Sequence, residues 1–343
     1  MQDISLTICS VFHSPRSQQL LECNYDLVEK LNPGIKISWL VADNSPPGST
    51  ETLDPKKFRV IPGVQRAEMP PLLVAHSVGS FQHAMAINKQ LPLVTTRFAL
   101  ILDNDFFIVR LNWIHAIVSH MDHAGLTFFG STWYPCYYAK YRYFPSVHCF
   151  FIDLARVDRT LLDFRPEPES SPFRRAVKEK PLQRRSRMPW ILQRLIFWAT
   201  LKDRKFIGSS RDTGWRVFSL FGKKRDVRVE CVQPVFRHEL HFGAFANLFY
   251  LPNRIVEKFL PDRLAFIPKK KGYSTHMRFR ELEYPDMLGR GYEEYFWRGK
   301  PFAFHLRGTR SGIGYDRRKD FSEEISFIED SLKTFVQISK ETV

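Results

Sequence analysis

Apolar runs and amphipathic segments alternate along the first part of the chain. "ISLTICSVF" is a run of β-branched and apolar residues, which predicts a first strand. Residues 14–34 begin with Ser14 and Pro15, a cap and first-turn pair, and they stop at "NPG". Their apolar positions recur at helical spacing, at Leu20, Leu27, Val28 and Leu31. The pattern therefore predicts a strand followed by a helix.

The same alternation continues to about residue 110. "KISWLVADNSPPG" predicts a second strand that ends in a proline-rich turn, and "FRVIPG" predicts a short third strand. "HSVGSFQHAMAINKQL" predicts a helix with one apolar face, made by Phe81, Ala84, Met85 and Ile87, and "RFALILDNDFFIV" predicts a fourth strand. Alternating strands and helices are typical of a parallel, doubly wound sheet, in which ligands bind at the carboxyl ends of the strands.

Polar residues lie where these strands end. Asp43 and Asn44 close the second strand, and Asp103 and Asp105 interrupt the apolar run "FALILDNDFF". Two carboxylates in a D-x-D arrangement can supply hard oxygen ligands to Mg²⁺ or Mn²⁺, which could bridge the protein to a diphosphate. The alternative is a polar turn that closes a strand, because Asp and Asn are common turn residues. The fully apolar residues on both sides favour the metal site.

Composition indicates a globular chain with a full core. It has 343 residues, of which 44% are hydrophobic and 14% aromatic. The five cysteines form no C-x-x-C pair, the amino-terminal residues do not have the pattern of a signal peptide, and no apolar stretch is long enough to span a bilayer. We expect a cytoplasmic protein that is soluble or attached peripherally to the inner face of a membrane.

The net charge of +15 predicts a polyanionic partner or surface. Basic residues concentrate between 174 and 205, where a helix from Ser186 would place Arg187, Arg194, Lys202 and Lys205 on one side. With its tryptophans, that helix fits an anionic membrane surface. An ordinary surface helix over the core, preceded by a basic loop, is the alternative.

Three further groups of residues could carry chemistry. Asp212 could be a general base or the N-cap of the helix predicted in "TGWRVFSLF". His305 follows a strand-like run and precedes a basic loop with Arg307 and Arg310, so it could ligate a metal beside phosphate-binding arginines, or it could be satisfied by backbone. His238 and His241 lack a third ligand nearby, which favours a structural or acceptor-lining role.

The aromatic stretch 131–151 suits a sugar site, because flat rings pack on sugar faces and tyrosine hydroxyls form hydrogen bonds. The alternative is a core strand with a tyrosine-rich rim. Phe150 and Phe151 are predicted to lie in the core. The residues predicted to line the acceptor or sugar cleft are Trp133, Tyr134, Tyr137 and Trp215.

The order of these segments resembles that of the GT-A fold glycosyltransferases, in particular the inverting family 2. The resemblance rests on "LTICSVFH", "VADNS", the helix before "RFALILDNDF", and "RDTGWRVF", and it covers about the first 220 residues. It implies an α/β, Rossmann-like GT-A fold with a mixed, mainly parallel sheet flanked by helices, to which we add a helical C-terminal elaboration. We expect a nucleotide-sugar-binding and catalytic core at 1–220, with a basic insertion at about 165–205. Residues 221–343 would form an acceptor-side extension packed on that core.

The resemblance also implies roles for individual residues. Asp103 would contact the ribose side of a nucleotide sugar and, with Asp105, the metal on its diphosphate, while Asp43 would face the base. Asp212 matches the position of the catalytic base, although the usual acidic pair is replaced by Arg211 and Asp212. Some GT-A enzymes use a C-terminal histidine as a further metal ligand, a role that falls here to His305. Arg307 would bind the nucleotide phosphates.

The sequence therefore predicts an Mn²⁺- or Mg²⁺-dependent glycosyltransferase with a nucleotide-diphosphate sugar donor and a glycan or lipid-linked acceptor. The transferred group would be a hexosyl or deoxyhexosyl residue, and inversion is expected. Two alternatives stay open: a nucleotidyltransferase, which can also use paired aspartates and a metal, and a noncatalytic nucleic-acid-binding protein, which the charge allows. We expect no nucleic-acid partner.

Overall fold

The computed structural model describes residues 4–13, 15–46, 53–65, 68, 78–134, 142–166, 212–222, 224–236, 274–275, 285, 287–288, 290, 292–306 and 321–341. Within these residues, none of the helices has the length and apolar character needed to cross a bilayer.

Eleven strands and five α-helices make up the described fold. The strands are β1 (Ser5–Phe12), β2 (Lys36–Asp43), β3 (Arg59–Pro62), β4 (Phe98–Leu102), β5 (Phe106–Ile108), β6 (Phe128–Ser131), β7 (Cys149–Asp153), β8 (Val229–Phe236), β9 (Ser274–Thr275), β10 (Glu293–Trp297) and β11 (Lys300–His305). The helices are α1 (Pro15–Leu31), α2 (Val78–Gln90), α3 (Trp113–Ala124), α4 (Trp215–Phe221) and α5 (Ser322–Glu341).

All the strands belong to one mixed sheet, in the order β3-β2-β1-β4-β7-β6-β8-β10-β11-β5, with β9 paired to β8. Strands β3, β2, β1 and β4 are parallel neighbours. Strand β7 lies antiparallel between β4 and β6, and β8 is parallel to β6. The pairs β8–β10, β10–β11 and β11–β5 are antiparallel. The predicted α/β class, a mixed sheet flanked by helices with a C-terminal helix, is confirmed.

The run predicted as the fourth strand forms two strands, β4 and β5, and the aspartates lie between them, at the end of β4 as predicted. Strand β4 pairs with β1 and ends at Leu102, and the amide of Phe106 then donates to the carbonyl of Asp103, which closes a turn. The apolar residues after the turn form β5, which pairs antiparallel with β11. Both strands are buried, and each one pairs with a different neighbour in the sheet, β4 with β1 and β5 with β11.

The hydrophobic core covers both faces of the sheet. Helix α1 contributes its predicted apolar face, α5 packs against β11 and α1, and α2 packs on the opposite cluster. Phe150 and Phe151 are buried on opposite sides, as predicted for core residues. The predicted faces of α1 and α2 are confirmed by burial of Leu20, Leu27, Val28, Leu31, Phe81, Ala84 and Ile87, whereas the predicted Met85 is only half-buried. Helix α5 buries Ile328, Leu332 and Phe335.

A carboxylate beside the sheet joins three segments that are distant in sequence. Asp163 accepts hydrogen bonds from Asn88 on α2, from the guanidinium of Arg165, and from Arg216 on α4 at 2.7 Å. Burial alone would raise the pKa of Asp163, but these hydrogen bonds outweigh it and hold the pKa well below its usual range. The carboxylate is therefore stabilising only while it is ionised.

We expect Asp163→Asn to lower the free energy of unfolding at pH 7 by about 2 kcal/mol, since hydrogen bonds to a charged group are lost. The unfolded chain takes up the proton near the ordinary aspartate pKa of about 3.9, before the folded chain does, so acid favours unfolding of the wild type. The difference between the two proteins should therefore shrink below about pH 4. Urea unfolding of both proteins at pH 7 and at about pH 3 measures this difference in the free energy of unfolding.

Asp226→Asn is the matched control, because Asp226 is exposed and its replacement removes the same charge. This control should unfold like the wild type at both pH values. A stability loss for Asp163→Asn that is equal at both pH values would assign the effect to packing and not to the ionised carboxylate.

Candidate active site

The predicted aspartates lie at the edge of the sheet where β4 and β11 end. The amide of Asp103 donates to the carbonyl of His148, just before β7, and the amide of Leu306, just after β11, donates to the carbonyl of Asp105. Backbone hydrogen bonds thus fix both aspartates to neighbouring strands, independently of their side chains.

Helix α1 also holds the turn between β4 and β5. Asn24 is fully buried, and its side-chain amide donates to the carbonyl of Phe106 at 2.9 Å and to that of Asp103 at 3.4 Å. A turn held by β7, β11 and α1 presents its carboxylates in a fixed direction. Such preorganisation is what a ligand site requires.

Two histidines face the aspartates. One ligand atom each from Asp103, His148 and His305 lies within 4.8 Å of the others, and Nε2 of His305 lies 3.2 Å from Oδ1 of Asp105. The exposed fractions of the side chains of Asp103, Asp105, His148 and His305 are 21%, 15%, 5% and 3%. Carboxylate oxygens and imidazole nitrogens at these separations fit a divalent metal such as Mn²⁺.

Each histidine has a second partner at Nδ1. The Nδ1 atom of His148 lies 3.0 Å from the hydroxyl of Ser146, and that of His305 lies 2.9 Å from Oε2 of Glu293. Burial lowers the pKa of His305, but the charges and hydrogen bonds of Asp105 and Glu293 outweigh burial and raise it to about 9. The surroundings of His305 thus strongly favour positive charge.

A third histidine, His83, and an arginine, Arg142, interact electrostatically with Asp212, and His83 also lies close to Asp103. Nε2 of His83, on α2, lies 3.5 Å from Oδ1 of Asp103. Burial lowers the pKa of His83 to about 4, against the opposing charges of Asp212 and Asp105, so its imidazole is neutral at pH 7. Burial also lowers the pKa of Arg142 to about 10, opposed by Asp212. Arg142 still carries its charge at pH 7.

Asp212 is not the N-cap of the following helix, so that alternative is wrong. The N-cap of α4 is Gly214, whose φ of 82° is in the left-handed region that glycine adopts readily. Oδ1 of Asp212 accepts a hydrogen bond from the amide of Thr213 instead. The carboxylate of Asp212 acts electrostatically on His83 and Arg142, and the neighbouring Thr213 hydroxyl donates to the carbonyl of Ser80 on α2, the helix that carries His83.

Asp43 lies at the carboxyl end of β2. Its carboxylate accepts a hydrogen bond from the amide of Ser45, and Asn44 accepts one from the amide of Val64. Because β2, β1 and β4 are parallel, Asp43 and Asp103 lie at the same edge of the sheet. The predicted role of Asp43 at a nucleotide base stays a prediction.

The predicted cleft residues differ in their surroundings. The ring of Trp133 packs edge-on against His148, with centroids 4.4 Å apart, and the guanidinium of Arg142 lies over Trp215 at 5.5 Å. Tyr134 is buried against Tyr295, and its hydroxyl donates to the carbonyl of Val235. Trp133 thus contacts a histidine of the candidate site. All three side chains are buried, with exposed fractions of 6% for Trp133, 7% for Tyr134 and 7% for Trp215, and their role in a cleft stays a prediction.

The remaining predictions fall outside the described residues. They concern Arg307 and Arg310 as phosphate-binding residues, Tyr137 in the cleft, Arg211, the pair His238 and His241, and the basic segment 174–205 with its proposed membrane contact.

Sequence reasoning missed His83, Arg142, His148 and Glu293. The tertiary structure brings each of these side chains into interaction with an aspartate of the site or with one of its partners. None of them belongs to a sequence motif with a recognisable spacing. The only local signal was a histidine directly before a predicted strand, in "SVHCFF".

No protein-family model matches the chain, and no curated protein matches its sequence. Solved structures with a similar fold are GT-A type glycosyltransferases. The mannosyltransferase PcManGT from Pyrobaculum calidifontis, solved with GDP-Man and Mn²⁺, has 14% identity and a TM-score of 0.30, with 45% of this chain and 46% of that chain covered. This chain thus spans less than half of that mannosyltransferase.

Two further similar structures cover more of the chain. An active-site variant of the galactosyltransferase LgtC has 12% identity, 96% coverage of both chains and a TM-score of 0.42. Mouse xyloside xylosyltransferase 1 has 11% identity, coverage of 72% of this chain and 92% of that chain, and a TM-score of 0.36. A function for this chain is therefore argued from the geometry of the aspartates and histidines.

Proposed function

We propose that the chain is a metal-dependent glycosyltransferase that moves a hexosyl or deoxyhexosyl residue from a nucleotide-diphosphate sugar to a hydroxyl of a glycan or lipid-linked saccharide, with inversion. The observation that carries the proposal is the convergence of Asp103, Asp105, His148 and His305 at one sheet edge, with Asp212 close by. This arrangement combines a site for a divalent cation with a separate carboxylate.

The donor side of the proposal rests on the aspartate turn. Asp103, Asp105 and His305 would hold Mn²⁺ or Mg²⁺, which when bound neutralises charge on the diphosphate leaving group. Asp43, at the same edge of the sheet, would contact the base, and Arg307 would bind phosphate. The backbone of the turn supports this assignment, since hydrogen bonds that do not involve the carboxylates hold it in place.

The acceptor side rests on Asp212. Its carboxylate would accept the proton of the attacking hydroxyl, and Trp133 and Trp215 would flank the sugars. The carboxylate of Asp212 interacts electrostatically with the neutral imidazole of His83 and with the charged Arg142. These interactions distinguish Asp212 from an isolated surface aspartate. A role of segment 174–205 on an anionic membrane surface remains part of the proposal.

The test is a screen of nucleotide-diphosphate sugars with the purified chain, in Mn²⁺, in Mg²⁺ and in chelator. Metal-dependent release of nucleoside diphosphate, and an inverted anomeric configuration in the product by NMR, are the expected results. Release of pyrophosphate would indicate a nucleotidyltransferase instead. Tight oligonucleotide binding at physiological salt, with no turnover of any donor, would indicate a nucleic-acid-binding protein.

A further inference from the structure

Glu293 is a buried carboxylate directly behind the candidate metal site. Its Oε2 atom lies 2.9 Å from Nδ1 of His305, and the side chains of both residues are almost completely buried. The hydroxyl of Tyr295 approaches the same oxygen at 3.4 Å. Glu293 therefore contacts the side of the imidazole that faces away from Asp105.

The β10–β11 hairpin is built to pair these two residues. Its two-residue turn, Arg298 and Gly299, has φ values of 53° and 72°, which are typical of a tight type I′ hairpin turn. Next to the turn, Trp297 pairs with Lys300, and a β-bulge between Tyr295 and Phe296 shifts the register by one residue. Beyond the bulge, Glu293 pairs with His305.

The bulge decides which face the partner of Glu293 occupies. Without it, the register set by the turn would oppose Glu293 to Phe304, and His305 would then face the other side of the sheet. With it, Glu293 and His305 share one face, and β5 places Phe106 against the imidazole ring at 5.8 Å. A register shift in the hairpin thus brings the carboxylate to the histidine.

We propose that Glu293 is a positioning residue, which holds His305 so that Nε2 points toward the aspartates and thereby sets the affinity and the choice of divalent cation at this site. A metal-bound histidine needs its other ring nitrogen anchored, and loss of such an anchor typically weakens metal binding about 10–100-fold. Nitrogen ligands favour Mn²⁺ and later transition metals over Mg²⁺, which prefers oxygen. The inference rests on the proposed metal site but requires no sugar chemistry.

The test is calorimetric titration of the purified chain with Mn²⁺ and with Mg²⁺, without any nucleotide sugar. We expect Glu293→Leu to weaken Mn²⁺ binding about 10–100-fold and Mg²⁺ binding much less. Glu293→Gln retains a hydrogen-bond acceptor for Nδ1, so it should keep much of the preference for Mn²⁺. It also supplies a milder variant should the leucine protein fail to fold.

The matched control is Glu230→Gln. Glu230 forms another histidine–glutamate pair of this sheet, with its Oε2 atom 2.7 Å from Nε2 of His120, and it also accepts a hydrogen bond from Trp297. Glu230→Gln removes the same charge from a comparable pair, so its Mn²⁺ affinity should stay within about twofold of the wild type, by the additivity of separate sites.

A double-variant cycle tests whether Glu293 acts through His305. In a His305→Gln protein, a further Glu293→Leu change should alter Mn²⁺ affinity no more. Equal losses of Mn²⁺ and Mg²⁺ affinity in Glu293→Leu, or additive effects in the cycle, would overturn the proposal. Glu293-dependent Mn²⁺ binding without turnover of any donor would leave the inference standing and refute the glycosyltransferase.

Discussion

Asp105→Ala should abolish metal-dependent turnover of the sugar donor while the protein stays folded. The carboxylate of Asp105 contacts Nε2 of His305 at the edge of the sheet, so its removal takes a negative ligand from the proposed cation site. Loss of such charge stabilisation is worth several kcal/mol, which corresponds to a decrease of about 10³-fold in kcat/KM. Initial rates over a range of Mn²⁺ concentrations measure it.

The fold should survive this change because the backbone of Asp105 is held separately. Its carbonyl accepts the amide of Leu306, and Asn24 holds the neighbouring carbonyls, so neither contact needs the carboxylate. The melting temperature of Asp105→Ala should therefore lie close to that of the wild type, and Asp226→Asn serves as a surface control for activity. Near wild-type turnover at saturating Mn²⁺ would remove Asp105 from the metal site.

Local patterns predicted the parallel half of the fold. The helical spacing of Leu20, Leu27 and Val28 and the apolar runs of β1, β2 and β4 are features of short segments, so each could be read without its neighbours. Asp43 and Asp103 could be placed at one edge because parallel strands end together. This part of the sequence is locally consistent with the fold that it adopts.

The antiparallel half could not be read in the same way. The apolar residues of β5 follow those of β4 closely in sequence, and only the partner strand β11, about two hundred residues later, shows that the residues after the aspartates form a second strand. The bulge that pairs Glu293 with His305 has no sequence signal beyond Gly299 in the turn. Pairings between distant segments depend on tertiary packing, which a single sequence does not display.

The candidate site, like the fold, was predicted in part. Asp103 and Asp105 follow from strand-end chemistry, and the structure brings His305, proposed as a ligand by resemblance, within 3.2 Å of Asp105. His83 and His148 were missed because each approaches Asp103 from another element, α2 and the segment before β7.

Asp212→Asn should lose sugar transfer and keep donor binding. Asparagine has almost the same shape and retains an oxygen that can accept the amide of Thr213, but it cannot take up the proton of an acceptor hydroxyl. Loss of a general base typically lowers kcat by about 10²–10⁴-fold. The proposed cation ligands Asp103 and Asp105 are unchanged, so the donor Kd should stay within about threefold of the wild type, a change worth under 1 kcal/mol.

The measurement pairs titration of the donor, in Mn²⁺, with kcat for transfer to acceptor. Thr213→Val is the matched structural control. It removes the hydrogen bond that the hydroxyl of Thr213, the residue after Asp212, donates to the carbonyl of Ser80, and it leaves the Asp212 carboxylate in place. If Asp212 is the base, the asparagine variant loses kcat and the valine variant retains most of it. A parallel fall of donor affinity and kcat in Asp212→Asn, matched by Thr213→Val, would make Asp212 a residue that shapes the donor site and would leave the base to another carboxylate.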